Sequence, residues 1–218
     1  LFLPVILAIL GMAAACSTTA TLAEDELRLA ENKVAIKNSS AYKASKLQPY
    51  IKQKANTYII GKWQPFLYVY NWQNGKDGGW DNFCRKVGQA PVVYDEGQVN
   101  PSVRSMLNHL EYEGWYDSTI ETREIVNEKR RSVKVEYDVT LGHQFPLQDI
   151  KYVVRDPGLD SLVRADSTHF TLKSGDPLAQ SALEAESERL SQIFRNNGYW
   201  GFTKDPFFIY ADPHTTTT

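Results

Sequence analysis

One construction occurs twice in this chain: an apolar stripe at helical spacing that runs into a glycine and two aromatic residues. The first copy is Met106-x3-Leu110-x3-Gly114-Trp115-Tyr116 and the second is Leu190-x3-Phe194-x3-Gly198-Tyr199-Trp200. Residues eight and four positions before each glycine fall on one face of a helix, and a core must cover that face. Glycine directly after the stripe predicts a left-handed helix stop, a backbone state that strains any residue with a Cβ. The aromatic pair then begins an extended segment. Such a repeat, with no reactive residues at its equivalent positions, predicts scaffold or binding modules ahead of an enzyme.

Two small modules fit within 218 residues of ordinary globular composition, 42% hydrophobic and 23% charged. A formal net charge of -2 argues against nucleic acid as a partner, because phosphate-backbone binders need a concentrated basic surface. The basic run Lys129-Arg130-Arg131 reads as a solvated hairpin loop.

Residues 1–10 are almost wholly apolar, and Gly11-Met12-Ala13-Ala14-Ala15 supplies small residues before Cys16. This run is too short to span a bilayer but suits the apolar part of a secretion signal over residues 1–15. Its junction resembles a bacterial lipobox, with Cys16 as the lipidated residue, although Ala13 stands where leucine is commoner. No basic segment or initiator methionine precedes Leu1, so the chain is expected to be clipped at its start. Residues 16–32 are then a lipidated amino terminus and a polar, acidic helix or linker. With Cys16 lipidated, Cys84 has no disulfide partner and is expected to be a buried, inert thiol.

In the body of the chain, Val34 and Ile36 alternate with charged residues as in a half-buried strand. Leu47 and Ile51 suggest a helix over 45–54, with Pro49 near its start. Asn100 is expected to cap a helix that runs to about Glu113. Ile120, Thr122, Glu124 and Val126, and then Val133, Val135, Tyr137 and Val139, predict an antiparallel hairpin with one wet face. A second round follows: a strand carrying Ile150, Tyr152 and Val154, a short helix over Leu159–Val163, a longer helix from Leu178 to Asn197 capped by Asp176, and a strand over Phe207–Tyr210. That round lacks the partner strand of its hairpin, so a first module over 33–143 with an aromatic insertion precedes an incomplete second module over 144–212 and a tail over 213–218.

The insertion, Tyr58 to Trp80, is rich in aromatics that are read as core filling. The competing reading makes Trp63, Trp72 and Trp80 a sugar-stacking platform or an interfacial belt. Catalytic chemistry has little support. His109, His143, His169 and His214 show no metal-ligand spacing, no nucleophile elbow is present, and Glu184, Glu186 and Glu188 read as a solvated helix face. No enzyme, metal or cofactor is expected.

The whole mature pattern resembles tandem polypeptide-transport-associated (POTRA) domains, an α+β fold of strand, two helices and a strand pair. It is most similar to the periplasmic region of the BamA/TamA superfamily of outer-membrane assembly proteins, in the lipid-anchored TamA-like form of Bacteroidota. The lipobox, Asn32-Lys33-Val34-Ala35-Ile36, Tyr50 to Asn56, Gly88 to Asp95, Glu186-x-Glu188-Arg189 and Arg195 to Tyr199 carry the resemblance. Ala55, where the family has proline, and Trp115, where tyrosine or phenylalanine is usual, depart from it.

The resemblance implies an outer-membrane lipoprotein with its modules in the periplasm, a carboxy-terminal β-barrel beyond Thr218, and unfolded outer-membrane proteins and assembly subunits as partners. Clients would add as strands to an exposed sheet edge, either at Val34 and Ile36 or at Ile120 and Val126. A surface-exposed, glycan-binding lipoprotein is the competing functional reading.

Overall fold

The computed structural model describes residues 18–59, 61, 63–203, 207 and 209. Cys16, the signal segment, the tail, and Phe208 and Tyr210 of the expected strand over Phe207–Tyr210 lie outside the described residues. The fold is α+β, and contacts divide it into two compact units, Leu1–Met106 with Ile120–Thr140 and Leu107–Thr119 with Leu141–Thr218.

The first unit is built on a three-stranded mixed sheet of β1 (Arg28–Ile36), β2 (Thr119–Asn127) and β3 (Ser132–Thr140) in the order β1-β3-β2. Strands β1 and β3 are parallel, with Val34 opposite Tyr137 and Ile36 opposite Val139. A parallel pair requires a long crossover, and the intervening chain supplies one. Asn127 accepts a hydrogen bond from the Arg130 N–H at 3.0 Å, and Arg131 adopts a left-handed φ of 44°. This tight turn makes β2 and β3 an antiparallel hairpin.

Strand β1 begins at Arg28, inside the stretch expected to be a helix or linker. A register shift between Leu29 and Glu31 explains the difference: the bulge reverses the alternation, so that Leu29 and Val34, five residues apart, are both buried. No unbroken period of two was there to be read. The segment expected as a helix over 45–54 forms two short 3-10 turns, Ala44–Lys46 and Gln48–Tyr50, with Pro49 in the second.

The crossover contains three helices, α1 (Pro65–Asn71), α2 (Gly79–Val87) and α3 (Val99–Tyr112). Asn100 lies inside α3 and does not cap it; the side chain of Asp95 instead accepts from the Gly97 N–H and caps the 3-10 turn Glu96–Gln98 that leads into the helix. One face of β3 is apolar and buried through Val133, Val135, Tyr137 and Val139. Its other face is charged, with Lys37 on Asp138 at 2.9 Å and Arg123 on the same carboxylate at 2.6 Å.

The second unit contains α4 (Pro157–Ala165) and α5 (Gln180–Asn196). Asp156 caps α4 by accepting from the Leu159 N–H at 2.9 Å, with Pro157 at the first helical position, so the short helix expected over Leu159–Val163 starts two residues earlier. Asp176 accepts from the Lys173 N–H at 2.9 Å and therefore closes a turn, while α5 starts later with no side-chain cap. Around Tyr152 the chain has the expected alternation, with Tyr152 and Val154 packed on the core of Val163, Leu190 and Phe194 and Val153 exposed. It joins no strand ladder among the described residues.

Both glycine stops close in the same way. The Trp115 N–H reaches the Leu110 carbonyl at 2.8 Å and the Gly114 N–H the Glu111 carbonyl at 2.9 Å; the Tyr199 N–H reaches the Phe194 carbonyl at 3.1 Å and the Gly198 N–H the Arg195 carbonyl at 3.3 Å. The glycines have φ of 86° and 99°. Beyond the stop the copies diverge: Tyr116 exchanges both backbone hydrogen bonds with His143, whereas Tyr199 opens a turn to Phe202.

Glu186, expected on a solvated face, is buried. It stands one turn before Leu190 on the core stripe of α5, where Arg189 binds it at 2.7 Å, the Thr171 hydroxyl at 2.5 Å and the Tyr152 hydroxyl at 3.1 Å. Burial opposes its ionisation, but the hydrogen bonds from Arg189 and Thr171 together outweigh burial and hold the carboxyl at about 2.

Two outcomes follow from these features. A Cβ at Gly114 would lie 2.9 Å from the Leu178 carbonyl oxygen, whereas one at Gly198 would meet nothing within 4 Å. Gly198→Ala is expected to cost about 1 kcal/mol through its backbone alone, and Gly114→Ala more, as read from urea unfolding midpoints. The depressed Glu186 pKa contributes stability that is complete above its ordinary value of 4.5 and is lost as pH falls towards about 2. The stability difference between wild type and Glu186→Gln should therefore be constant at neutral pH and close across that acid window in pH-dependent denaturation.

Candidate functional site

Strands β1 and β2 are the two outer strands of the sheet, so the residues singled out as edge candidates lie on opposite edges. Val34 is buried and Ile36 half-buried on β1; Ile120 is half-buried and Val126 is 51% exposed on β2. The structure does not bring the two pairs together. The Lys37 N–H bonds to the Val139 carbonyl at 2.9 Å, so strand alternation turns the backbone groups of Val34 and Ile36 away from β3.

Much of the β1 edge is already occupied by the chain itself. The segment Val92 to Tyr94 runs antiparallel along its start, with the Leu29 N–H on the Val92 carbonyl at 2.8 Å and the Tyr94 N–H on the Leu27 carbonyl at 2.7 Å. The Tyr58 hydroxyl donates to the Ala30 carbonyl. Two amide side chains hold the covering segment in place. Asn56 is 1% exposed and donates to the Ala90 carbonyl at 2.7 Å while accepting from the Val92 N–H at 3.1 Å. Gln53 donates to the Val93 carbonyl at 2.7 Å and accepts from the Asp95 N–H at 3.1 Å. Gln53 and Asn56 thus serve as the hydrogen-bonding rail that a neighbouring strand would otherwise provide.

Strand β2 is different. Every residue from Glu121 to Asn127 is exposed, including Ile125 and Val126, which stand on alternate faces at 49% and 51%. Among the described residues, no backbone hydrogen bond from outside the sheet is given to it. Side-chain bonds from Arg123 to Glu136 at 3.3 Å and to Asp138 at 2.6 Å fasten it to β3. The result is a held strand with an open outer edge, which is the arrangement needed to accept an extended segment. Sequence reasoning missed Ile125, because the alternating pattern assigned only Ile120, Thr122, Glu124 and Val126 to one apolar side. It also missed Gln53 and Asn56 as edge covers, for which the sequence holds no local signal.

The aromatic insertion corrects a further expectation. Trp63, Trp72 and Trp80 are 56%, 50% and 50% exposed, and the buried positions of the helical pair are taken by Leu67, Asp81 and Cys84. Where the chain leaves α2 it lies directly against the backbone of α1, with the Gln89 N–H on the Phe66 carbonyl at 2.9 Å. A Cβ at Gly88 would already lie 2.5 Å from the Tyr70 backbone nitrogen. Cys84 is a buried free thiol. Among the described residues no helix is long and apolar enough to cross a membrane, and no group of three or more metal-ligating side chains is assembled.

These features define an α+β protein whose first unit offers one partly covered and one open sheet edge. No family model matches the sequence, and no curated protein matches it. Among solved structures the chain is similar to Haemophilus influenzae BamA POTRA3-5, with 16% sequence identity and a TM-score of 0.38 over 82% of this chain and 59% of that one.

Replacing Asn56 with alanine strips the partners from Ala90 and Val92. Asn56→Ala is expected to cost about 3 kcal/mol and to accelerate amide exchange at Leu29 and Tyr94 more than at Val135. Equal acceleration at all three sites would mean that Asn56 supports the unit as a whole, with no particular role at the β1 edge.

Proposed function

We propose that the chain is the periplasmic, POTRA-type region of an outer-membrane protein assembly factor, tethered through Cys16 and binding unfolded β-barrel clients or partner subunits by β-augmentation. The observation that carries this reading is β2: an outer strand, exposed on both faces, yet fastened to the central strand by Arg123. An incoming strand gains backbone hydrogen bonds that carry no sequence preference, which suits clients sharing little beyond alternating β-strands. Apolar residues on both faces of the strand, Ile125 and Val126, give such a client something to pack on whichever register it takes. On β1 only the part beyond Glu31 offers outward backbone groups, so β2 is the principal edge and Val34 and Ile36 a secondary one. Modules over 33–143 and 144–212 remain our division of the chain, with β1 extending the first to Arg28.

Proline removes a strand N–H and is tolerated only where that N–H faces outward. Adjacent residues of a strand face opposite ways, so one of Glu121→Pro and Thr122→Pro removes an outward group and the other breaks the ladder. The outward variant is expected to keep its thermal unfolding midpoint and to lose most photocrosslinking from Val126 to an unfolded porin-like client. Ile36→Pro should leave that crosslink intact. Wild-type crosslinking by a folded outward variant would refute augmentation at β2.

A further inference from the structure

Helix α2 is amphipathic in the inverse sense. Trp80, Phe83 and Val87, at spacings that share one face, are 50%, 51% and 41% exposed, while Asp81 and Cys84, on the adjoining arc about a quarter turn away, are buried. Asp81 points inward for a reason: its carboxylate accepts from the N–H groups of Asn74 at 2.9 Å and Asp77 at 3.2 Å and so closes the loop between α1 and α2. Those backbone hydrogen bonds, led by the one from Asn74, hold its pKa below the ordinary value. With the carboxylate committed to the inner face, the large apolar residues of the helix are left outside.

These residues form one patch. The Trp80 ring stacks on Phe83 with centroids 5.7 Å apart, and its indole N–H donates to the Trp72 carbonyl at 3.1 Å, which brings Trp72 alongside. Because that N–H is satisfied within the patch, the rest of the Trp80 ring is an apolar surface. Lys76 and Lys86 are exposed nearby in sequence, on the loop and in the last turn of α2. Aromatic rings with flanking lysines match the chemistry of a bilayer interface, where rings lie at headgroup level and ammonium groups meet phosphates.

The path of the amino-terminal chain identifies the occupant. Thr21 donates from its hydroxyl to the Asn71 side chain at 3.3 Å, and Asn71 immediately precedes Trp72. Cys16 is five residues before Thr21, a reach of at most about 18 Å for extended chain. An acyl group on Cys16 would therefore enter a membrane within reach of the aromatic patch.

We propose that Trp72, Trp80, Phe83 and Val87 form a membrane-interface contact that seats the first unit on the phospholipid surface in which the Cys16 lipid is anchored. The acyl chains supply attachment, and the aromatic patch supplies orientation. This proposal rests on the reading of Cys16 as a lipid-attachment site, and its test separates the two.

The full mature chain, coupled through Cys16 to a maleimide phospholipid, is placed on vesicles of phosphatidylethanolamine and phosphatidylglycerol with or without brominated acyl chains. Tryptophan emission of the wild type should be quenched by the brominated lipid at least about twice as strongly as that of Trp72→Phe/Trp80→Phe. The variant keeps aromatic rings at both positions, and an unchanged circular dichroism spectrum certifies its fold. Equal quenching of the two proteins overturns the proposal, as does protection of the patch by an immobilised glycan with no quenching by lipid. Mass spectrometry of the cellular protein reports separately on acylation: quenching on the coupled chain together with an unacylated native Cys16 would leave the membrane contact standing and remove the anchor.

Discussion

Strand β3 is the element on which the first unit depends, because its faces and its edges each meet a different requirement. Its inner face buries Val133, Val135, Tyr137 and Val139, each at 2% exposure or less, and each such side chain contributes about 1.5–3 kcal/mol through burial. Its outer face remains wet but ordered. Asp138 takes Lys37 from one side and Arg123 from the other, so a single carboxylate ties the chain leaving β1 to β2. Exposed ion pairs contribute little individually; their consequence here is positional. They keep the flanking strands in register on a surface with no apolar packing to do so.

With the centre fixed, the two edges become different problems. An unpaired edge invites aggregation unless it is covered or used. The start of β1 is covered from within the chain, by a segment that Asn56 and Gln53 hold through side-chain amides. Those amides are buried or partly buried among backbone groups that would otherwise be unsatisfied, so the cover is costly to remove. The fold thus invests specific polar residues in closing one edge. Strand β2 receives no comparable cover among the described residues, and this asymmetry is why the proposed client contact is assigned to β2.

What could be read from the sequence followed the range of the interactions involved. The glycine stops were legible because φ, capping carbonyl and apolar stripe lie within ten residues, and both copies close through the same hydrogen bonds. The β2–β3 hairpin was legible because alternation and turn are also local. Strand β1 was misplaced where the bulge at Leu29 and Glu31 reversed the alternation. The helix expected over 45–54 shortened to 3-10 turns around Pro49. The edge candidates were legible as strands, but not their order in the sheet, since the position of β3 between β1 and β2 is set by long-range pairing.

Two buried carboxylates show why the aromatic insertion and the face of α5 were also misread. Asp81 and Glu186 occupy inward helical positions that a periodicity argument gives to apolar residues. Each is stabilised by donors that become visible only in three dimensions: backbone N–H groups of the 74–77 loop for Asp81, and Arg189, Thr171 and Tyr152 for Glu186. In both cases a helix uses an inner position to fasten a loop. For α5 the core closes around the charge, because Leu190 and Phe194 remain on the same stripe. For α2 the stripe has no such depth, and its rings are displaced to the surface. The exposed aromatic patch is thus the structural counterpart of the buried Asp81: the residue that orders the loop also determines which face of the helix meets the surroundings.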